Sequence, residues 1–71
     1  MDLPRVSGAE VVRALERAGF AFRSQRGSHC KLRHADGRTA IVPMHRELAP
    51  GTLRSILRQA GLSVVELRAL L

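Results

Sequence analysis

The sequence predicts an α+β fold of order α-β-β-β-α, closed by a short C-terminal helix. Its three-stranded antiparallel sheet is expected to carry helices on one face. Three observations predict it. Apolar residues recur at helical spacing at both ends of the chain, three short stretches between them alternate as strands do, and Asp36-Gly37 stands where a hairpin must reverse.

Each element has a local reason. Residues 7–19 read as a helix. Ser7 and Glu10 form an S-x-x-E capping box, Val11, Val12, Leu15 and Ala18 recur along one face, and Gly19 is a stop. The stretch "FAFRSQR" then alternates from Phe20 and Phe22, both assigned to the core. In "SHCKLRH" the pleat sends Cys30 and Leu32 to one side and His29, Lys31 and Arg33 to the other. After "DG" the chain returns as "RTAIVP". Pro50 suits the first turn of a helix that buries Leu53, Ile56, Leu57 and Ala60, and Gly61 ends it. Ser63 and Glu66 make a second capping box, which opens a last helix with Val64, Leu67, Leu70 and Leu71.

The 71 residues are expected to form one domain, residues 1–71, with a modest core. No apolar run is long enough to span a bilayer, and the charged start does not read as a signal peptide, so no membrane is expected. One cysteine, Cys30, excludes an internal disulfide and fits a reducing cytoplasm. Charge is more telling. Twelve basic residues, eleven of them arginine, face six acidic ones. Between Arg23 and Arg58 there are eight basic and two acidic residues, so the whole net charge of +6 sits in that segment. Such clustering points to a polyanion, a nucleic acid or an acidic protein surface. With two Phe and no Trp or Tyr, a platform of stacking rings is not expected.

On the open face of the sheet, a histidine among fixed cations has a plain chemical use. In RNA the 2′-hydroxyl lies beside the phosphodiester and can attack it. A proton acceptor, a proton donor and positive charge near the phosphate suffice, and no metal or other cofactor is needed. An imidazole titrates near neutral pH and serves either role. His29 is therefore the candidate acid/base residue. Arg26, Lys31 and Arg33 are candidates to hold the phosphate, since guanidinium donors match it in a fork. Gly27 and Ser28 would let the backbone approach substrate, with the Ser28 hydroxyl as a donor. The same basic residues also fit an RNA-binding module without catalysis. A metal site is not expected: His29, Cys30, His34 and His45 are ligand types, but neighbours on a strand point to opposite faces. "RQAGLSVVEL" has the look of a helix-turn-helix turn, yet its second helix is too apolar to read base edges and is expected to cap the core or meet a partner.

The blocks "GSH" at 27–29, "DGR" at 36–38, "VPMHRELAPGTLRSIL" and "QAGLS" occur in order, and on them the chain resembles the HicA family of bacterial toxins. The resemblance implies a double-stranded-RNA-binding-like fold. It further implies an endoribonuclease that cuts mRNA, neutralised by a HicB-type antitoxin. It places the family's catalytic histidine at His29 and its glycine at Gly27; a second recurrent histidine falls on His45, to which no chemistry is assigned. The chain departs at Ala35, where proline is common, at Ala49, where lysine is common, and at Val65, where an acid is common. A chain this small is compatible with a homo-oligomer or a toxin–antitoxin hetero-oligomer.

Overall fold

A computed structural model describes residues 2–71. The order is α1 (Gly8–Arg17), β1 (Phe20–Arg26), β2 (His29–His34), β3 (Thr39–Pro43), α2 (Pro50–Ala60) and α3 (Val64–Leu70). The strands form one antiparallel sheet in the order β1-β2-β3. This is the expected α+β architecture.

Local signals set the helix ends. Ser7 and Ser63 cap α1 and α3, and each box closes reciprocally: the serine Oγ accepts from the N–H of Glu10 or Glu66, whose carboxylate accepts from the serine N–H. The first helix stops two residues short of the expected Gly19, with Ala18 as its cap. Gly61 takes a left-handed φ of 68°, so its N–H reaches the Arg58 carbonyl and the Leu62 N–H reaches that of Leu57. That pair of bonds uses up carbonyls the helix end would otherwise leave free.

The core lies between the sheet and the helices. Val11, Ala14 and Leu15 of α1, Leu32 and Val42 of the sheet, and Leu53 and Ile56 of α2 are all buried. Burying a side chain such as Leu32 is worth about 1.5–3 kcal/mol. The third helix adds the buried Leu67 and packs on α1, where Arg17 Nη1 donates to the Leu70 carbonyl at 2.9 Å. It caps the core through Leu67.

Phe22 corrects one expectation. It pairs with Leu32 and so shares the core face, but it is 55% exposed rather than buried. β1 is an edge strand, and the helical cover runs out after Phe20.

Two turns and one irregularity set the faces of the sheet. Gly27, at φ 54°, is the first of two residues linking Arg26 to His29, the position where a tight hairpin needs glycine. Between β2 and β3 the Gly37 N–H donates to the His34 carbonyl, and the His34 N–H returns to the Arg38 carbonyl. In β1 the register slips by one between Phe22 and Ser24, so Arg23 is the extra residue of a β-bulge. Before the bulge Phe22 pairs with Leu32; after it Ser24 pairs with Lys31 and Arg26 with His29. The bulge therefore moves Ser24 and Arg26 to the face opposite the helices.

Candidate functional site

The open face of the sheet is built by this register. Cross-strand partners share a face, so Arg26, His29 and Pro43 form one row, Ser24, Lys31 and Ile41 the next, and Ala21, Arg33 and Thr39 a third. Ser24, Arg26, His29, Lys31 and Ile41 line a shallow depression of about 400 Å³. Of the residues singled out in the sequence, Arg26, His29 and Lys31 meet there. Gly27 and Ser28 form the adjoining turn. A Cβ built on Gly27 would have no atom within 4 Å, so the backbone at that turn is open to approach. The turn is tied from the other side by Met44, whose N–H donates to the Ser28 carbonyl at 2.6 Å.

Arg33 shares the face but not the depression. Its Nη1 lies 3.5 Å from Thr39 Oγ1 at the far end of the strand. His45 is exposed on the segment after β3 and does not line the depression, although its carbonyl accepts the Gly8 N–H at 2.9 Å. His34 lies on the helical side, edge-on to Phe20 at 5.2 Å between ring centroids, with its Nδ1 accepting the Asp36 N–H. Cys30, behind His29, is buried, and burial pushes its thiol pKa up, with Glu16 adding to the effect. Buried in the core cluster, Cys30 serves as a small packing group. Among the described residues no three His, Cys, Asp or Glu side chains converge on one point.

Two lining residues escaped the sequence reading. Ile41 was not fixed by the sequence, because Asp36-Gly37 read as a two-residue loop would set Val42 opposite Lys31, whereas the chain closes a three-residue turn at 35–37 that sets Ile41 there. Ser24 was hidden for a different reason: only the bulge brings it to this face.

The basic segment divides between surfaces. Arg26, Lys31 and Arg33 stand on the open face. Arg38 is folded inward: its Nε donates to both Asp36 carboxylate oxygens, its Nη1 donates to the Ala60 carbonyl, and its guanidinium lies 5.3 Å from the Phe20 ring centre. The Arg38 N–H, first, and then its guanidinium hold the Asp36 carboxyl below the ordinary aspartate value. Arg54 and Arg58 line a separate groove at the α2–α3 corner, with Leu57, Leu62 and Val64. One cluster in the sequence is thus two cationic surfaces in space. No helix among the described residues is long and apolar enough to cross a membrane.

Among curated proteins no relative matches the chain. A family model described as the HicA toxin of bacterial toxin–antitoxin systems matches residues 8–62, from the first residue of α1 to the residue after Gly61. The match takes in all three strands, both flanking helices and every residue that lines the depression, and the chain belongs to the HicA toxin family.

Proposed function

We propose that this toxin is a cytoplasmic endoribonuclease that cuts mRNA with His29 as its acid/base residue, and that residues 1–71 act as one toxin domain. The observation that carries the reading is the row Arg26–His29 beside Lys31, an imidazole flanked by two fixed cations at the foot of an open turn. In the reaction the 2′-oxygen attacks phosphorus and the bond to the 5′-oxygen breaks. One proton leaves the 2′-hydroxyl for a base, and one reaches the 5′-oxygen from an acid. The products are a 2′,3′-cyclic phosphate and a 5′-hydroxyl. Arg26 and Lys31 offset charge on the phosphate as it builds up, which is where fixed donors contribute most. His29 carries one of the two protons.

Cleavage of a defined RNA in excess EDTA, by partner-free protein beside folded His29→Ala, tests the reading. The wild type is expected to cut and leave cyclic phosphate ends, with the variant slower by about 10²- to 10⁴-fold. Equal rates would remove His29 from the chemistry.

One observation favours a second reading, an RNA-binding module without catalysis. The depression holds a single imidazole and no carboxylate, so beside His29 the remaining acid/base side chain of that lining is the Lys31 ammonium, already assigned to the phosphate. RNA bound tightly yet left uncut by the wild type is the outcome that selects it.

Neutralisation follows from the same surface. A HicB-type antitoxin presenting acidic residues would cover Arg26, His29 and Lys31 and exclude RNA. Competition between antitoxin and RNA is the expected result; binding of both at full affinity would reject direct masking.

A further inference from the structure

Ile41 is, among the described residues, the one large exposed apolar side chain on the cationic face. Among the described residues the others are Phe22, on the helical side of β1, and Val65 and Leu71 at the C-terminal end. Ile41 is 40% exposed, directly opposite Lys31, and lines the depression with His29. Its diagonal relation to His29 across neighbouring strands corresponds to about 7–8 Å. Isolated exposed apolar residues are ordinary; this one is also held from outside the sheet. The Ile41 N–H donates to Gln59 Oε1 at 2.8 Å, and Gln59 Nε2 donates to Ser55 Oγ at 3.2 Å, so α2 ties the β3 edge at that residue. Neither phenyl ring is on this face, so the large exposed apolar surface that a base beside a phosphate at His29 would meet is Ile41.

We infer that Ile41 is the floor of a nucleobase subsite beside His29, taking an unstacked base of single-stranded RNA, with Gln59 as the residue that positions it. The inference rests on the reading of the depression as an RNA site. A base inside a duplex has its faces covered by its neighbours, and only a splayed base can lie on a side chain. Ile41 offers dispersion and apolar area but no directed hydrogen bond, so the subsite discriminates base from no base and only weakly between bases.

Binding is measured with His29→Ala protein, in which cleavage is expected to be slowed, at one salt concentration. The probes are an unstructured RNA octamer and inorganic polyphosphate of matched charge. Ile41→Thr keeps the β-branch and is expected to weaken RNA binding about fivefold, while Ile41→Phe strengthens it by a similar factor. Polyphosphate affinity is expected to stay constant for both. Gln59→Leu is expected to weaken RNA alone, and less than Ile41→Thr does. If RNA affinity ignores residue 41, or RNA and polyphosphate change together, the subsite is overturned. The two readings fail separately. RNA affinity that tracks residue 41 in a protein that never cuts would sustain the subsite and reject the ribonuclease. His29-dependent cutting with RNA affinity indifferent to residue 41 would do the reverse.

Discussion

Two helical glycines, Gly8 and Gly51, are expected to respond to alanine with opposite signs. Helix propensity alone favours alanine at both, by about 0.5–1 kcal/mol. At Gly8, the first residue of α1, a Cβ would stand 2.2 Å from the Pro43 carbonyl oxygen and 2.9 Å from the Met44 Cα. Both atoms are backbone, and the first distance is well short of any real carbon contact. Relief requires α1 to move off the end of β3 by the better part of an ångström, which also strains the Gly8 N–H bond to the His45 carbonyl. Overpacking of this kind costs about 1–3 kcal/mol, against a whole-protein stability of roughly 4–10 kcal/mol for this length. Less the propensity gain, the net expectation for Gly8→Ala is a loss of about 1 kcal/mol, which at a urea m-value of about 1 kcal/mol/M lowers the midpoint by about 1 M. Gly51, in the first turn of α2, has no atom within 4 Å of its built Cβ, and alanine there is expected to raise the midpoint slightly. Urea unfolding followed by circular dichroism reads both. A Gly8→Ala protein as stable as wild type would refute the close approach of α1 to β3. Because Pro43 pairs with His29, the same variant is also expected to slow RNA cleavage in protein that remains folded.

Arg38→Lys is expected to cost about 1 kcal/mol, because lysine cannot bridge Asp36, the Ala60 carbonyl and the Phe20 face together; an unchanged melting temperature would deny that tie between hairpin and α2. Glu10, Asp36 and Glu66 are all held below their ordinary carboxyl values, chiefly by backbone N–H donors from Ser7, Arg38 and Ser63. Their folded forms thus release protons at lower pH than the unfolded chain. Their contribution is complete above the glutamate value of 4.5 and is lost as pH falls through the folded values. Glutamine keeps the capping bond without the titration, so Glu10→Gln/Glu66→Gln is expected to flatten the acid limb of a melting-temperature profile; an unaltered limb would assign it to other groups. Arg26→Ala is expected to reduce the log–log salt slope of single-stranded RNA binding by about 0.7, whereas Arg54→Ala leaves it unchanged. Equal slopes for both variants would contradict the division of basic residues between two surfaces.

What could be read in the sequence was what local chemistry decides. Both capping boxes, the αL glycine at Gly61, Pro50 at a helix start and the hairpin at Asp36-Gly37 depend on residues a few positions apart, and each stands where its spacing puts it. The buried stripe of α2, with Leu53, Ile56, Leu57 and Ala60, is equally local. Phe22 was misread because alternation assigns a face but not whether a helix reaches it. How the charge divides in space was likewise beyond a local reading. Arg38 and Arg58 lie in one basic segment, yet the first is spent on Asp36, Ala60 and Phe20 while the second lines a groove on another surface. Arg33 shares the face of His29 but stands two rows away, a separation set by how the sheet carries the depression at one end.

The bulge at Arg23 occupies a middle ground. A two-residue Gly27–Ser28 turn pairs Arg26 with His29 and puts both on one face. Alternation outward from the buried Phe20 puts Phe22, Ser24 and Arg26 on the opposite face. Both local readings are sound, and they disagree by one residue. A pleated strand can satisfy them only by gaining a residue between Phe22 and Arg26, so the sequence implies a bulge without saying which residue forms it. The structure places it at Arg23. An unbulged strand would keep either Phe20 in the core or Arg26 beside His29, but not both. The irregularity in β1 is thus what lets one short edge strand close the core at its start and supply a cation to the candidate site at its end.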